Sequence, residues 1–220
     1  MARTFDLGLQ DVHVLVTGAS GGIGLATAKL FLALESEFSS SQLLSAQAEL
    51  TSESAVESLF SIAQGHFGLP VQVLVVNHGI WPTQDKAIWE MELEQWNHTI
   101  DVNLNASFLV CKHFLKCLAR DEVKDEEKMD ANIIFVGSSA GRFGEKGHAD
   151  YAASKSAMMH GLTLTLKNEI VQIAPRGRVN CVAPGWVLTP LAEEALRDPN
   201  VVYRALATSV TFNLSFLPFP

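Results

Sequence analysis

A single doubly wound, mostly parallel α/β sheet is the fold class this 220-residue sequence predicts, on two observations. Short β-branched apolar runs alternate with helix-period stretches from Val12 onward, the signature of repeated strand–helix–strand units. The runs are apolar almost throughout, as in strands covered by helices on both faces, and do not alternate as half-exposed strands would. With 48% apolar and 18% charged residues the chain has the composition of one globular domain. That domain is assigned to residues 1–207, and residues 208–220 form an atypical apolar tail.

The first run, Val12-His13-Val14-Leu15-Val16, reads as a strand. It leads directly into Thr17-Gly18-Ala19-Ser20-Gly21-Gly22-Ile23-Gly24 and then a helical pattern over Leu25–Leu34. Glycines let the backbone turn tightly and approach a ligand where a Cβ would collide, and a helix N-terminus presents unpaired N–H groups to an anion. Strand, glycine loop and helix in that order predict a nucleotide pyrophosphate site.

Glu35–Ser41 reads as a loop, and Gln42–Leu50 has room for one strand. A further strand, crossover helix and strand would need about 25–30 residues, so one βα unit is expected to be absent. Thr51 or Ser52 caps the next helix, whose apolar positions Val56, Leu59, Phe60 and Ala63 follow helical spacing. Val71–Val76 is a strand ending in Asn77-His78-Gly79, and a ligand would sit at that C-terminal end. Leu93–Leu118 is a long helix with Ile100, Leu104, Phe108, Cys111 and Leu115 on one side and Asn103 within it. A buried asparagine there must find hydrogen-bond partners.

The charged run Asp121–Asp130 reads as an exposed loop. Strand Ile133–Gly137, helix Tyr151–Ile173, strand Arg178–Ala183 and a helical pattern over Leu191–Ala207 complete the order. From Val210 to Phe216 the tail alternates apolar and polar residues, a pattern equally suited to pairing at a sheet edge and to a sticky unpaired end.

Chemistry is concentrated between Ser138 and Lys155. Tyr151 and Lys155 stand four apart, which on a helix places their Cβ atoms about 5–6 Å apart on one face. A nearby ammonium favours the phenolate and so lowers a tyrosine pKa that is ordinarily about 10. Ser138, at a strand end, reaches the tyrosine only if the fold brings strand end and helix start together.

Composition excludes other classes. The net charge of −8, without a lysine/arginine cluster, argues against a nucleic-acid partner. Cys111, Cys117 and Cys181 have neither disulfide-framework nor zinc-ligand spacing, so reduced thiols are expected. Among the seven histidines there is no His-Glu-x-x-His, which argues against metal-assisted hydrolysis. His78 and His148 are expected to be loop or pocket-wall residues. No 18-residue apolar run or signal-like N-terminus is read, so the expectation is a cytoplasmic protein with no membrane partner.

Taken together, these motifs resemble the short-chain dehydrogenase/reductase family over about Val12 to Leu206. The matching residues are Thr17-Gly18-x-x-x-Gly22-x-Gly24; Asn77-His78-Gly79, with His where the family usually has Ala; Asn103; Ser138, Tyr151 and Lys155; and Pro184-Gly185-x-Val187-x-Thr189. The resemblance implies a Rossmann-like NAD(P)-binding oxidoreductase interconverting a small-molecule carbonyl and alcohol, with NAD or NADP as cofactor.

By that resemblance Tyr151 would exchange the proton, Ser138 would hold the substrate oxygen, Lys155 would depress the tyrosine pKa and touch the nicotinamide ribose, and Asn103 would order a proton-carrying water. Thr17, Gly18, Ser20, Gly22, Ile23, Gly24, Glu49, Leu50, Asn77, Gly79, Tyr151, Lys155, Pro184, Gly185, Val187 and Thr189 would form the cofactor site. Ile80-Trp81-Pro82, Arg142–His148 and Trp186–Leu206 would build the substrate pocket, whose content suits an apolar carbonyl compound. A homodimer or tetramer through the two long helices is the family's arrangement.

Two departures from the family stand out. The strand carrying its ribose-reading residue is not found, and a final helix and strand are missing. Losing charged hydrogen bonds to the ribose, each worth about 1.5–3 kcal/mol, would weaken cofactor binding by about 10²–10⁴. The alternative reading is therefore a catalytically impaired nucleotide-binding relic that partners intact relatives.

Overall fold

The structure, a computed structural model, describes residues 9, 11–34, 43–190, 192–193 and 195–208. The elements run β1 (Val14–Val16), α1 (Gly22–Leu34), α2 (Glu53–Phe67), β2 (Val73–Val76), α3 (Leu93–Ile100), α4 (Ala106–Leu118), α5 (Asp125–Lys128), β3 (Asn132–Val136), α6 (Ala140–Phe143), α7 (Ala149–Ser156), α8 (Thr163–Ile173), β4 (Arg178–Val182) and α9 (Pro199–Thr208). The four strands form one parallel sheet in the order β1-β2-β3-β4. Val14 is in register with Val73, Val75 with Ile134, and Ile134 with Asn180. The parallel α/β architecture expected from the sequence is the one observed, and the apolar β2, buried at all four positions, shows why its pattern did not alternate.

The core is drawn mainly from α2, α4 and α8 packed against the sheet, with Phe60, Phe114, Phe135, Leu118 and Ile170 fully buried. Ser52 caps α2, its hydroxyl accepting from the Ala55 N–H at 3.4 Å, and all four predicted apolar positions of α2 are buried. The sheet's second face is covered in part: Ile134 is half-buried, and Asn180 and Val182 of β4 are exposed. In α1, which is apolar nearly all round, Gly24 is buried while Leu25 and Leu30 are exposed.

Several expectations change. Residues 43–49 form no strand, and Leu43 is exposed. The run is rich in Ala, Gln and Glu, which are depleted in strands, and its adjacent leucines would point to opposite faces. Gln42, the Glu35–Ser41 loop and the 209–220 tail lie outside the described residues. The loop expected over Asp121–Asp130 contains α5, whose charged first turn includes Glu127, with its carboxylate accepting from the Lys124 N–H at 2.8 Å.

The long helix 93–118 is continuous but widens at Asp101–Asn105, where the Ala106 N–H reaches back five residues to the Asp101 carbonyl. The helix 149–173 widens in the same way at Ala157–Leu162. The first wide turn shifts the buried face to Asn103, Ser107, Val110, Phe114 and Leu118, while Cys111 stays buried and Phe108 is 49% exposed. Single wide turns of this kind recur at functional sites.

Candidate active site

Hydrogen bonds beyond the strand ends bring the motifs together. The Gly137 N–H donates to the Val182 carbonyl at 2.7 Å and the Ser139 N–H to the Pro184 carbonyl at 2.9 Å, so β3 and β4 open into one rim. On the other side Thr17 is a hub. Its hydroxyl donates to the Val75 carbonyl at 3.2 Å and accepts from the Asn77 N–H at 3.0 Å, and His78 Nδ1 lies 2.8 Å from the same oxygen. Asn77 Nδ2 donates to the Thr17 and Gly18 carbonyls, both at 3.1 Å. The glycine loop is thereby tied to the end of β2.

Two glycines in that loop are required by geometry. Gly18 has φ of +63°, and a Cβ there would meet His78 Cα at 2.9 Å, in a region L side chains rarely adopt. A Cβ on Gly24 would collide with the Gly18 carbonyl. The loop closes tightly and α1 starts directly from it at Gly22, three residues earlier than its apolar pattern suggested.

A cleft of about 470 Å³ lies over this rim. It is lined by Gly18, Ser20, Gly22 and Ile23 from the glycine loop; by Asn77, Gly79, Ile80 and Trp81 from the loop after β2; by Ser138, Tyr151 and Lys155; and by Pro184, Gly185, Trp186, Val187 and Thr189 after β4. Twelve of the sixteen residues expected at the cofactor thus face one space. Thr17 and Gly24 shape the loop from behind. Glu49 and Leu50 do not line the cleft, and the exposed Glu49 carboxylate accepts instead from the Thr51 hydroxyl at 2.7 Å and the Thr51 N–H at 3.2 Å.

Inside the cleft the Ser138 hydroxyl lies beside the Tyr151 phenol. The sequence expected a lowered tyrosine pKa; the structure reverses the direction. Burial of the ring raises it, and the neighbouring Ser138 hydroxyl, which lowers it, is the smaller effect. The Lys155 ammonium sits 5.8 Å from the Tyr151 ring centroid, is 4% exposed, and donates to the Val136 carbonyl at 2.9 Å. Burial brings its pKa down to about 8, with Cys181 opposing. Burial and the neighbouring Lys155 charge bring His78 down to about 4, so it stands neutral.

Asn103 is fully buried and fully partnered. Its Oδ1 accepts from the Ile80 N–H at 2.8 Å, and its Nδ2 donates to the Ile80 carbonyl at 3.1 Å and to Ser154 Oγ at 3.2 Å. It clamps the loop after β2 to the tyrosine-bearing helix.

One neighbour, Asp150, escaped the sequence reading, and a second, His148, was expected at a loop or pocket wall without its partner. Asp150, fully buried, accepts from the Thr99 hydroxyl at 2.8 Å, Gln95 Nε2 at 3.2 Å and the Tyr151 N–H at 2.8 Å, anchoring the start of α7 to α3. An aspartate immediately before the predicted helix Tyr151–Ile173, where capping residues stand, was the available signal. His148, 2% exposed, places Nε2 2.9 Å from Asp85 Oδ1 and stacks behind Trp81 at 3.9 Å. That contact spans 63 residues and left no local trace. Among the described residues no cluster of His, Cys, Asp or Glu could hold a metal ion, and no helix is long and apolar enough to cross a membrane.

A parallel sheet whose strand ends carry a glycine cradle, a helix N-terminus and a Ser–Tyr–Lys group has the layout suited to a nicotinamide-dependent oxidoreductase. Comparison with known proteins agrees: the family model described as short chain dehydrogenase matches residues 32–200, and the chain belongs to that NAD(P)-dependent family. It is 32% identical to a 3-oxoacyl-(acyl-carrier-protein) reductase of Synechocystis sp. over 214 residues, spanning 88% of this chain and 81% of the relative. Against the corresponding Escherichia coli reductase it is 33% identical over 201 residues, spanning 84% and 76%. A crystal structure of a short-chain dehydrogenase/reductase, glucose/ribitol dehydrogenase, from Brucella melitensis superposes with a TM-score of 0.73 at 31% identity, covering 85% of this chain and 77% of that one. Thermoplasma acidophilum aldohexose dehydrogenase gives 0.73 at 26% identity, covering 90% and 78%.

Proposed function

We propose that the chain interconverts a small-molecule carbonyl and its alcohol, with Tyr151 as the proton-exchanging group. The observation that carries this reading is the gathering of Ser138, Tyr151 and Lys155 in the lining of one cleft, with the Lys155 ammonium buried 5.8 Å from the tyrosine ring centroid. The glycine cradle and the α1 N-terminus suit the cofactor's pyrophosphate, and the cofactor supplies hydride chemistry when bound. Ser138 and Tyr151 would hold the substrate oxygen between two hydroxyls. In reduction the phenol gives its proton to that oxygen, and in oxidation the phenolate removes it. The positive Lys155 favours the phenolate that reduction leaves behind. General acid–base help of this kind is worth about 10²–10⁴ in rate.

Replacing Tyr151 with Phe removes the proton donor and preserves the ring. The change in nicotinamide absorbance with a panel of carbonyls should fall at least about 100-fold, with cofactor affinity retained. Undiminished turnover in Tyr151→Phe would overturn the assignment. The competing reading, a nucleotide-binding relic, draws on Glu49 facing Thr51 away from the cleft. It predicts no saturable NAD(H) or NADP(H) binding by calorimetry.

A further inference from the structure

We propose that the substrate side of the cleft is built for a neutral aromatic carbonyl compound, an aryl ketone or aldehyde and its alcohol, with Trp81 as the specificity-determining wall. This substrate class deepens the carbonyl–alcohol reading above and rests on it.

Three aromatic side chains adjoin in the cleft, Trp81 touching the rings of both Tyr151 and Trp186. Trp81 follows β2 and Trp186 follows β4, yet their ring centroids lie 5.5 Å apart at 67°. Trp81 also meets the Tyr151 ring edge-to-face, 4.7 Å apart at 70°. Loops from opposite sides of the rim therefore place aromatic surface beside the phenol that touches the substrate oxygen. Aromatic rings attract another ring's edge or offset face at such spacings, beyond what apolar burial alone provides.

The wall is fixed in place. The buried His148 ring backs Trp81 at 3.9 Å, and Asp85 holds His148 through the 2.9 Å contact at Nε2. The Lys86 N–H donates to the Gly147 carbonyl at 3.0 Å, zipping these two segments together. A ring held from behind needs little ordering when a ligand arrives.

Charge narrows the class. Lys155 is the sole Lys or Arg among the described lining residues, and it is already bonded to the Val136 carbonyl. A carboxylate- or phosphate-bearing substrate would lack a second cation. Beyond Ser138 and Tyr151, the segment 138–151 contributes two polar side chains to the lining, Ser139 and Glu145.

The test reads binding, so it does not depend on turnover. Acetophenone and cyclohexyl methyl ketone, matched in size, are titrated calorimetrically into the full chain saturated with oxidised cofactor. Acetophenone should bind tighter by about 2- to 10-fold for each ring contact. The preference should collapse in Trp81→Leu and persist in Trp81→Phe. If Trp81→Leu fails to fold, Trp186→Leu carries the same expectation, and the wild-type ratio decides in any case. Equal affinities, a cyclohexyl preference, no binding of either ketone, or a preference intact in a folded leucine variant would overturn the inference. Tyr151→Phe should keep the preference. Binding with preference but without hydride transfer would sink the catalytic reading alone, and turnover without aryl preference would sink this one alone.

Discussion

Burying the Lys155 ammonium works against folding. Its pKa is brought down to about 8 from 10.5. The unfolded chain therefore binds more protons between those values, and stability rises with pH across that window. Below about pH 8 the charged lysine costs roughly 3 kcal/mol. Lys155→Met should therefore be inactive yet more stable than wild type by about 1–3 kcal/mol at pH 7, a gain that shrinks as pH rises from 8 toward 10.5; urea unfolding at several pH values measures it. His78 acts at the other end. Its pKa is lowered to about 4, so its contribution is complete above about pH 6.5 and is lost as pH falls toward 4. His13, lowered mainly by burial, adds the same sign. His78→Ala should lose about one proton's worth of acid sensitivity, read as a shallower stability slope between pH 6.5 and 4.

At the scale of elements, local signals that name a residue's own backbone partner proved reliable. Ser52 caps α2 as its position implied, and Ser52→Ala should lower stability by about 1 kcal/mol in chemical denaturation. The glycine loop, the strand-end Asn77 and the Tyr151–Lys155 spacing were likewise legible, because each depends on short-range geometry. Illegible features had distant or collective causes. The wide turn at Asp101–Asn105 moved Phe108 toward solvent and Val110 into the core, a shift no heptad-like count reveals. The sequence placed a cation beside a phenol and inferred a lowered pKa, but how strongly packing would dry that ring depends on residues far away in the chain. Gln42–Leu50 had room for a strand, yet strand formation requires a partner, and neighbour composition cannot supply one.

For the molecule as a whole, coverage is uneven. The face packed by α2, α4 and α8 holds the core, whereas α1 leaves Leu30 60% exposed, and among the described residues β1 pairs on one side with β2 alone. Exposed apolar surface of this kind invites association. Leu30→Glu should therefore reduce self-association in light scattering at high protein concentration, with nicotinamide-linked turnover unchanged. The same parallel sheet has a further consequence. All four strands run the same way, so the chemistry-bearing groups gather at one rim while the strand origins at Val14, Val73, Asn132 and Arg178 lie at the opposite end. In a library of random substitutions the two ends would separate by phenotype: changes at the strand origins would deplete expressed protein, whereas changes at the rim would leave expression intact and silence it.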